Sequence, residues 1–206
     1  MGTPKDSLVT RSKILQAAGL LFTEKGFKGV TVREIALSAK VPLGALNYHF
    51  RTKEALYREV LLEACRVASV PEDEQAYLLT LPAEHALFEI IKESLALFRD
   101  QAESHWQTAI LSRECRNPGP VFEELADEYF RPQAEFLNRI LSKAANRPAT
   151  DFSVQFAGIS VIGLMETCGL YRRYVAAVSP GLLEHGEKDD WFARQITRMV
   201  IRTASA

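Results

Sequence analysis

The sequence predicts an all-α fold of about nine helices, divided between a small basic N-terminal part and a larger acidic part. Three observations carry this. Apolar residues recur at three- and four-residue spacing along nearly the whole chain, while the period-2 alternation of half-buried strands does not recur. Caps and breakers punctuate the pattern at intervals that suit separate helices. Charge divides unevenly: residues 1–60 hold ten Lys/Arg against five Asp/Glu, and residues 61–206 hold fifteen against twenty-one.

The elements follow in order. Ile14, Ala18 and Leu21 form one apolar stripe, with Leu15 and Phe22 beside it, and Gly26 caps the end of that helix. Thr31-Val-Arg-Glu34 has the spacing of a capping box and opens a short helix carrying Ile35, Ala36 and Ala39. Val41-Pro42-Leu43-Gly44 breaks it, a second short helix runs from Leu43 to Phe50, and Thr52 caps a long helix through Leu56, Val60, Leu61 and Ala64. Pro71-Glu-Asp-Glu reads as a loop. Ala83–Ala102 is amphipathic, Trp106–Arg116 ends at Asn117-Pro-Gly-Pro, and Val121–Ala145 contains Pro132, so a kink is expected near Arg131. Phe152–Val178 reads as one helix, apolar round most of its circumference, and Asp189–Thr203 as the last.

Composition sets limits. With 206 residues, 47% hydrophobic and 25% charged, the chain is an ordinary globular one, not disordered or collagen-like. Cys65, Cys115 and Cys168 are scattered with no CxxC pair, which suits reduced thiols in the cytosol. Met1–Ser12 is polar and lacks the apolar core of a signal peptide. Phe152–Met165 is too short to span a bilayer. The expectation is a soluble cytoplasmic protein with no membrane partner.

Two short helices joined by a tight turn and seated on a hydrophobic helix describe a helix-turn-helix. In the second, Leu46 and Phe50 stand at i and i+4 and face inward, leaving Gly44, Ala45, Asn47, Tyr48 and His49 outward. Small residues at a helix start permit close approach to base edges in a major groove about 12 Å wide. Lys53 beside the Thr52 cap supplies a point charge for a phosphate.

The run Thr31-Val-Arg-Glu-Ile-Ala, Val41, Gly44-Ala-Leu-Asn-Tyr-His-Phe50 and Lys53-Glu-Ala-Leu56 resembles the DNA-binding domain of the TetR family of bacterial transcriptional regulators. The resemblance covers residues 8–68, leaving 69–206 as an effector-binding and dimerisation domain. It implies that Thr31, Arg33, Tyr48, His49 and Lys53 touch phosphates, and that Leu43, Gly44, Ala45 and Asn47 lie where bases are read. Many members carry Tyr where this chain has Asn47, and an amide pairs bidentately with adenine as a phenol does not. Ile110-Leu-Ser-Arg113-Glu114-Cys-Arg-Asn-Pro118 and Tyr129-Phe-Arg-Pro132 are similar to the C-terminal domain of a subgroup that includes regulators of multidrug efflux and antibiotic sensitivity. By that resemblance the protein is a homodimeric, ligand-responsive repressor on a palindromic DNA operator; the alternatives are a regulator of the same fold without a small-molecule effector or acting as an activator, and a helical protein-interaction module. Phe152–Val178 and Asp189–Thr203 are its dimer helices, and a small-molecule effector binds the larger domain.

Trp106, Arg113, Glu166 and Tyr171 are candidate ligand-contacting residues, with Phe98 and Phe136 as further aromatics that equally suit plain core. Glu166, following a long uncharged run, reads either as a pocket carboxylate or as one half of a structural ion pair with Arg113, Arg172 or Arg173. His49, His85, His105 and His185 make no zinc spacing, and no nucleophile motif or phosphate-binding glycine loop occurs. Neither a metal, a cofactor nor an enzymatic activity is expected.

Overall fold

The computed structural model describes residues 4–100, 106–182 and 189–206, and all regular structure among them is helical. The chain forms two compact units, and it passes between them at 69/70, 104/105 and 129/130.

The first unit comprises residues 1–69 and 105–129. Its elements are α1 (Pro4–Lys25), α2 (Val32–Ser38), α3 (Leu43–His49), α4 (Lys53–Ala68), α7 (Trp106–Arg116) and α8 (Phe122–Leu125), followed by a π-helical turn that begins at Ala126. Residues 105–129 return to the basic unit because α7 is apolar on the side that meets α1 and α4: Trp106 and Ile110 are buried there. Ile14, Ala18 and Phe22 on α1 pack with Ile35, Leu46, Leu56 and Leu61, all fully enclosed. Each of the Ile, Leu and Phe side chains contributes about 1.5–3 kcal/mol through burial. Phe22, Phe27 and Tyr57 form an aromatic cluster, with the Phe22 and Tyr57 rings edge to face at 4.8 Å.

The second unit comprises residues 70–104 and 130–206. It holds α5 (Glu72–Leu78), α6 (Ala83–Asp100), α9 (Arg131–Ala145), α10 (Phe152–Leu170), α11 (Arg172–Val178) and α12 (Asp189–Ala204). Leu87, Ile91, Phe136, Ile140, Leu141, Val154, Ala157, Ile196 and Val200 form its core, with α12 packed on both α6 and α10.

Three local departures separate these elements from the nine expected helices. The segment after Pro71 is α5 and not a loop: Pro71 occupies the N-cap, and Glu72, Asp73 and Glu74 in the first turn complement the helix dipole. The long helix across Pro132 is interrupted where a kink was expected. The π turn Ala126–Phe130 precedes α9, so Pro132 falls in the first turn of a new helix, where no N–H is required of it. The apolar run from Phe152 breaks at Tyr171 into α10 and α11. Gly169, just before that break, lowers helix propensity locally.

Candidate nucleic-acid interface

The helix-turn-helix is assembled from local bonds outward. At the start of α2 the Glu34 N–H donates to Thr31 Oγ1 at 3.2 Å, and the Thr31 N–H donates to Glu34 Oε2 at 2.8 Å. The Thr31 hydroxyl donates to the same carboxylate oxygen at 2.8 Å. Lys25 Nζ adds an ion pair to Glu34 at 3.2 Å. These donors, the Thr31 amide first, hold the Glu34 carboxyl at about 2, well below the ordinary value of 4.5. Thr31 is thus both a cap and an exposed residue at the start of the motif.

On α3, Leu46 is fully buried and Phe50 nearly so, which fixes the helix against the unit's core. The opposite face presents Gly44, Asn47 and Tyr48 to solvent, Leu43, Ala45 and His49 being half-buried. Tyr48 is 80% exposed, and its ring meets His49 edge to face at 5.3 Å. A Cβ built on Gly44 would meet nothing within 4 Å, so no contact inside the protein requires a glycine there. Arg33 projects from the first turn of α2 and is exposed.

Lys53 stands differently. Its ammonium donates to Val30 O at 3.0 Å and lies 4.3 Å from the Phe27 ring centroid. It ties the start of α4 to the residue that precedes the Thr31 cap, a role that spacing alone does not reveal.

Of the candidate ligand residues, Trp106 and Arg113 belong to the first unit and Tyr171 to the second. Trp106 is 4% exposed in the first unit, where its Nε1 donates to Gln16 Oε1 at 3.0 Å and its ring fills the space above Gly19. Arg113, also in the first unit, lays its guanidinium against Gly26 and donates to Thr23 O at 3.4 Å. Tyr171 is on the second unit and half exposed. The side chains of Glu166 and Phe98 lie outside the described residues, and Phe136 is core. A shallow groove of about 180 Å³ between α9 and α10 is lined by Ala134, Leu137, Asn138, Gln155, Gly158, Ile159 and Ile162. It is smaller than the ~300 Å³ at which ligand sites begin. Cys65 is buried, which pushes its thiol up to about 12, whereas Cys115 is exposed.

One buried polar cluster had no counterpart in the sequence reading. Glu114 on α7, 1% exposed, accepts from the Tyr57 hydroxyl at 2.5 Å and from the Gly119 N–H at 2.7 Å. Its sequence signals were its place in the run Ile110–Pro118 and an acidic residue on the apolar side of α7.

Residues 14–60 match the family described as bacterial regulatory proteins, tetR family. Residues 83–203 match the C-terminal domain of the HTH-type transcriptional dual regulator CecR. The chain belongs to the TetR family. Among TetR-type relatives, the HTH-type transcriptional repressor KstR2 of Mycolicibacterium smegmatis is 42% identical over 59 residues, 29% of this chain and 29% of that protein. Whole-chain likeness comes from solved structures. HlyIIR, a hemolysin II transcriptional regulator, aligns with a TM-score of 0.62 at 22% identity, covering 90% of this chain and 97% of its own. AibR in complex with isovaleryl coenzyme A and operator DNA aligns with a TM-score of 0.66 at 18% identity, covering 92% and 97%. The likeness to both is of TetR fold.

Proposed function

We propose that this TetR-family chain is a sequence-specific DNA-binding transcriptional regulator that acts as a homodimeric repressor and responds to a small molecule. One observation carries the DNA reading. The outward face of α3 is trimmed to Gly44, Ala45, Asn47 and Tyr48 while its inner face is locked by Leu46 and Phe50. A rigid helix with a small-residue start suits insertion into a major groove. In this reading Arg33, Tyr48 and His49 contact phosphates and Asn47 pairs with adenine.

The dimer reading rests on α10 and α12. Phe152, Phe156, Ile159 and Ile162 on α10 and Trp191 and Met199 on α12 are 46–82% exposed. A helix apolar on all sides is one that a partner covers. Two-fold symmetry then pairs two α3 helices with two half-sites of a palindromic operator. The effector reading is supported by the match of residues 83–203 to a regulator's C-terminal domain and by AibR's complex with isovaleryl coenzyme A. A site in the second unit, in a cytoplasmic protein, is the corresponding proposal here. The name of the C-terminal family, a dual regulator, favours a second reading in which the same chain activates some promoters.

The test is selection of double-stranded DNA from a random library by the purified chain, followed by Tyr48→Ala. Because Tyr48 is 80% exposed, the substitution spares the fold. Loss of binding by a folded variant is the expected result. Undiminished binding, or no selected sequence at all, refutes the assignment. Release of the selected DNA by members of an acyl-coenzyme A and drug panel tests the effector.

A further inference from the structure

The turn between α2 and α3 is a Schellman cap: the Val41 N–H donates to Ala36 O at 3.0 Å and the Lys40 N–H to Leu37 O at 3.1 Å. This arrangement places Lys40 in the left-handed region, at φ 56°. That conformation crowds any Cβ and is the natural place of glycine, or of asparagine. At the other left-handed positions among the described residues the chain follows the preference, with Gly26 at φ 73°, Asn146 at φ 52° and Gly181 at φ 78°. Lys40 departs from it.

The side chain offers no internal compensation. Lys40 is exposed, and among the described residues no carboxylate or carbonyl holds its ammonium. Arg11, Lys25, Lys53 and Arg58 of the same unit are each held by one, whereas Lys13, Lys28, Arg33 and Arg51 share Lys40's lack of such a partner; what sets Lys40 apart among these cations is its left-handed backbone. A strained backbone carrying an unengaged charge points to a requirement from outside the fold. The position supplies it. Lys40 precedes Leu43, the first residue of α3, by three residues, and the strands flanking an inserted helix present phosphates beside its leading end.

We propose that Lys40 is a DNA-phosphate anchor in the turn of the helix-turn-helix, an inference that rests on the DNA-binding reading above. Its left-handed backbone sets the direction in which the side chain leaves the turn. The contact neutralises one phosphate per protomer and carries no base preference, so it adds to affinity and salt dependence but not to sequence choice.

The experiment uses the full chain and a duplex that the wild type has selected from a random library, alongside an unrelated duplex. Lys40→Asn and Lys40→Gly suit the left-handed backbone and remove the charge; Lys40→Arg keeps the charge. The expected result for the two neutral variants is a melting temperature equal to or above wild type. Their affinity for both duplexes should fall on the order of tenfold at 0.1 M salt, and log K against log salt should flatten by about 0.9 per protomer. Lys40→Arg should restore both. Neutral variants with wild-type affinity and slope overturn the anchor while leaving DNA binding intact, as does a loss confined to the selected duplex. A wild-type chain that selects no DNA overturns the functional reading, and the anchor with it.

Discussion

The Tyr57 hydroxyl of α4 donates a 2.5 Å hydrogen bond to the Glu114 carboxylate of α7, across 57 residues of sequence, and both residues are buried. The bond joins the helix that follows the DNA-reading motif to a segment from the middle of the chain. Burial, and then the Glu114 carboxylate, raise the Tyr57 phenol above its ordinary value of 10.0. A folded value raised above the unfolded one means a contribution fully present below pH 10 and lost as pH climbs beyond it. Tyr57→Phe keeps the ring among Phe22 and Phe27 but leaves Glu114 short of a donor. The expected cost is about 1.5–3 kcal/mol, that of a hydrogen bond to a charged group. Urea denaturation reads it, and a loss below 0.5 kcal/mol shows the bond to be idle. The variant should also lose part of the wild type's decline in stability above pH 10.

The Glu34 carboxyl gives the opposite pH sign. Its folded value, about 2, lies below the ordinary 4.5. Its contribution is therefore present above pH 4.5 and disappears as pH falls toward 2. An NMR titration should place the Glu34 midpoint close to 2, and Thr31→Ala, which removes the hydroxyl donor, should move it upward. A wild-type midpoint at 4.5 means that the capping box does not form in solution.

That box was legible because it is local: Thr and Glu three residues apart determine each other's partners. The inward pair Leu46 and Phe50, the break before Pro132 and the trimmed face of α3 were legible for the same reason. Trp106 and Arg113 were not. Helical spacing does not show that the Trp106 indole lies over Gly19 and the Arg113 guanidinium against Gly26. Both glycines lie about ninety residues upstream, beyond the reach of helical periodicity. Lys40 was hidden differently. A left-handed residue is recognised in sequence by glycine or asparagine, and here the Schellman bonds impose the conformation on a lysine.

Gly44 separates stability from function. It lies in the first turn of α3, and a methyl group would enter open space. Gly44→Ala should therefore stabilise the folded chain, by up to about 1 kcal/mol, because alanine loses less backbone entropy in a helix. On the proposed DNA interface the same methyl group stands between helix and bases, so affinity for selected DNA should fall as the melting temperature rises. Thermal melts and binding isotherms on one preparation measure both. A variant that melts higher and binds equally well removes Gly44 from the interface.

Ile159 tests the dimer. It is 64% exposed on α10 and borders Ile162, also exposed, above the groove lined by Asn138 and Gln155. Within a single protomer, charge at this position costs little, since surface substitutions away from special features change stability by about 0.5 kcal/mol or less. In a two-fold interface Ile159→Arg would bury one unpaired cation from each protomer, and every 1.4 kcal/mol of that cost weakens association about tenfold. The variant should keep its helical content and sediment as a monomer at concentrations where the wild type is a dimer. Its binding to a palindromic site should weaken sharply, while binding to an isolated half-site should stay near that of a wild-type protomer. A variant that remains dimeric would place the interface on another face of the second unit and leave the exposed stripe of α10 without the partner assigned to it.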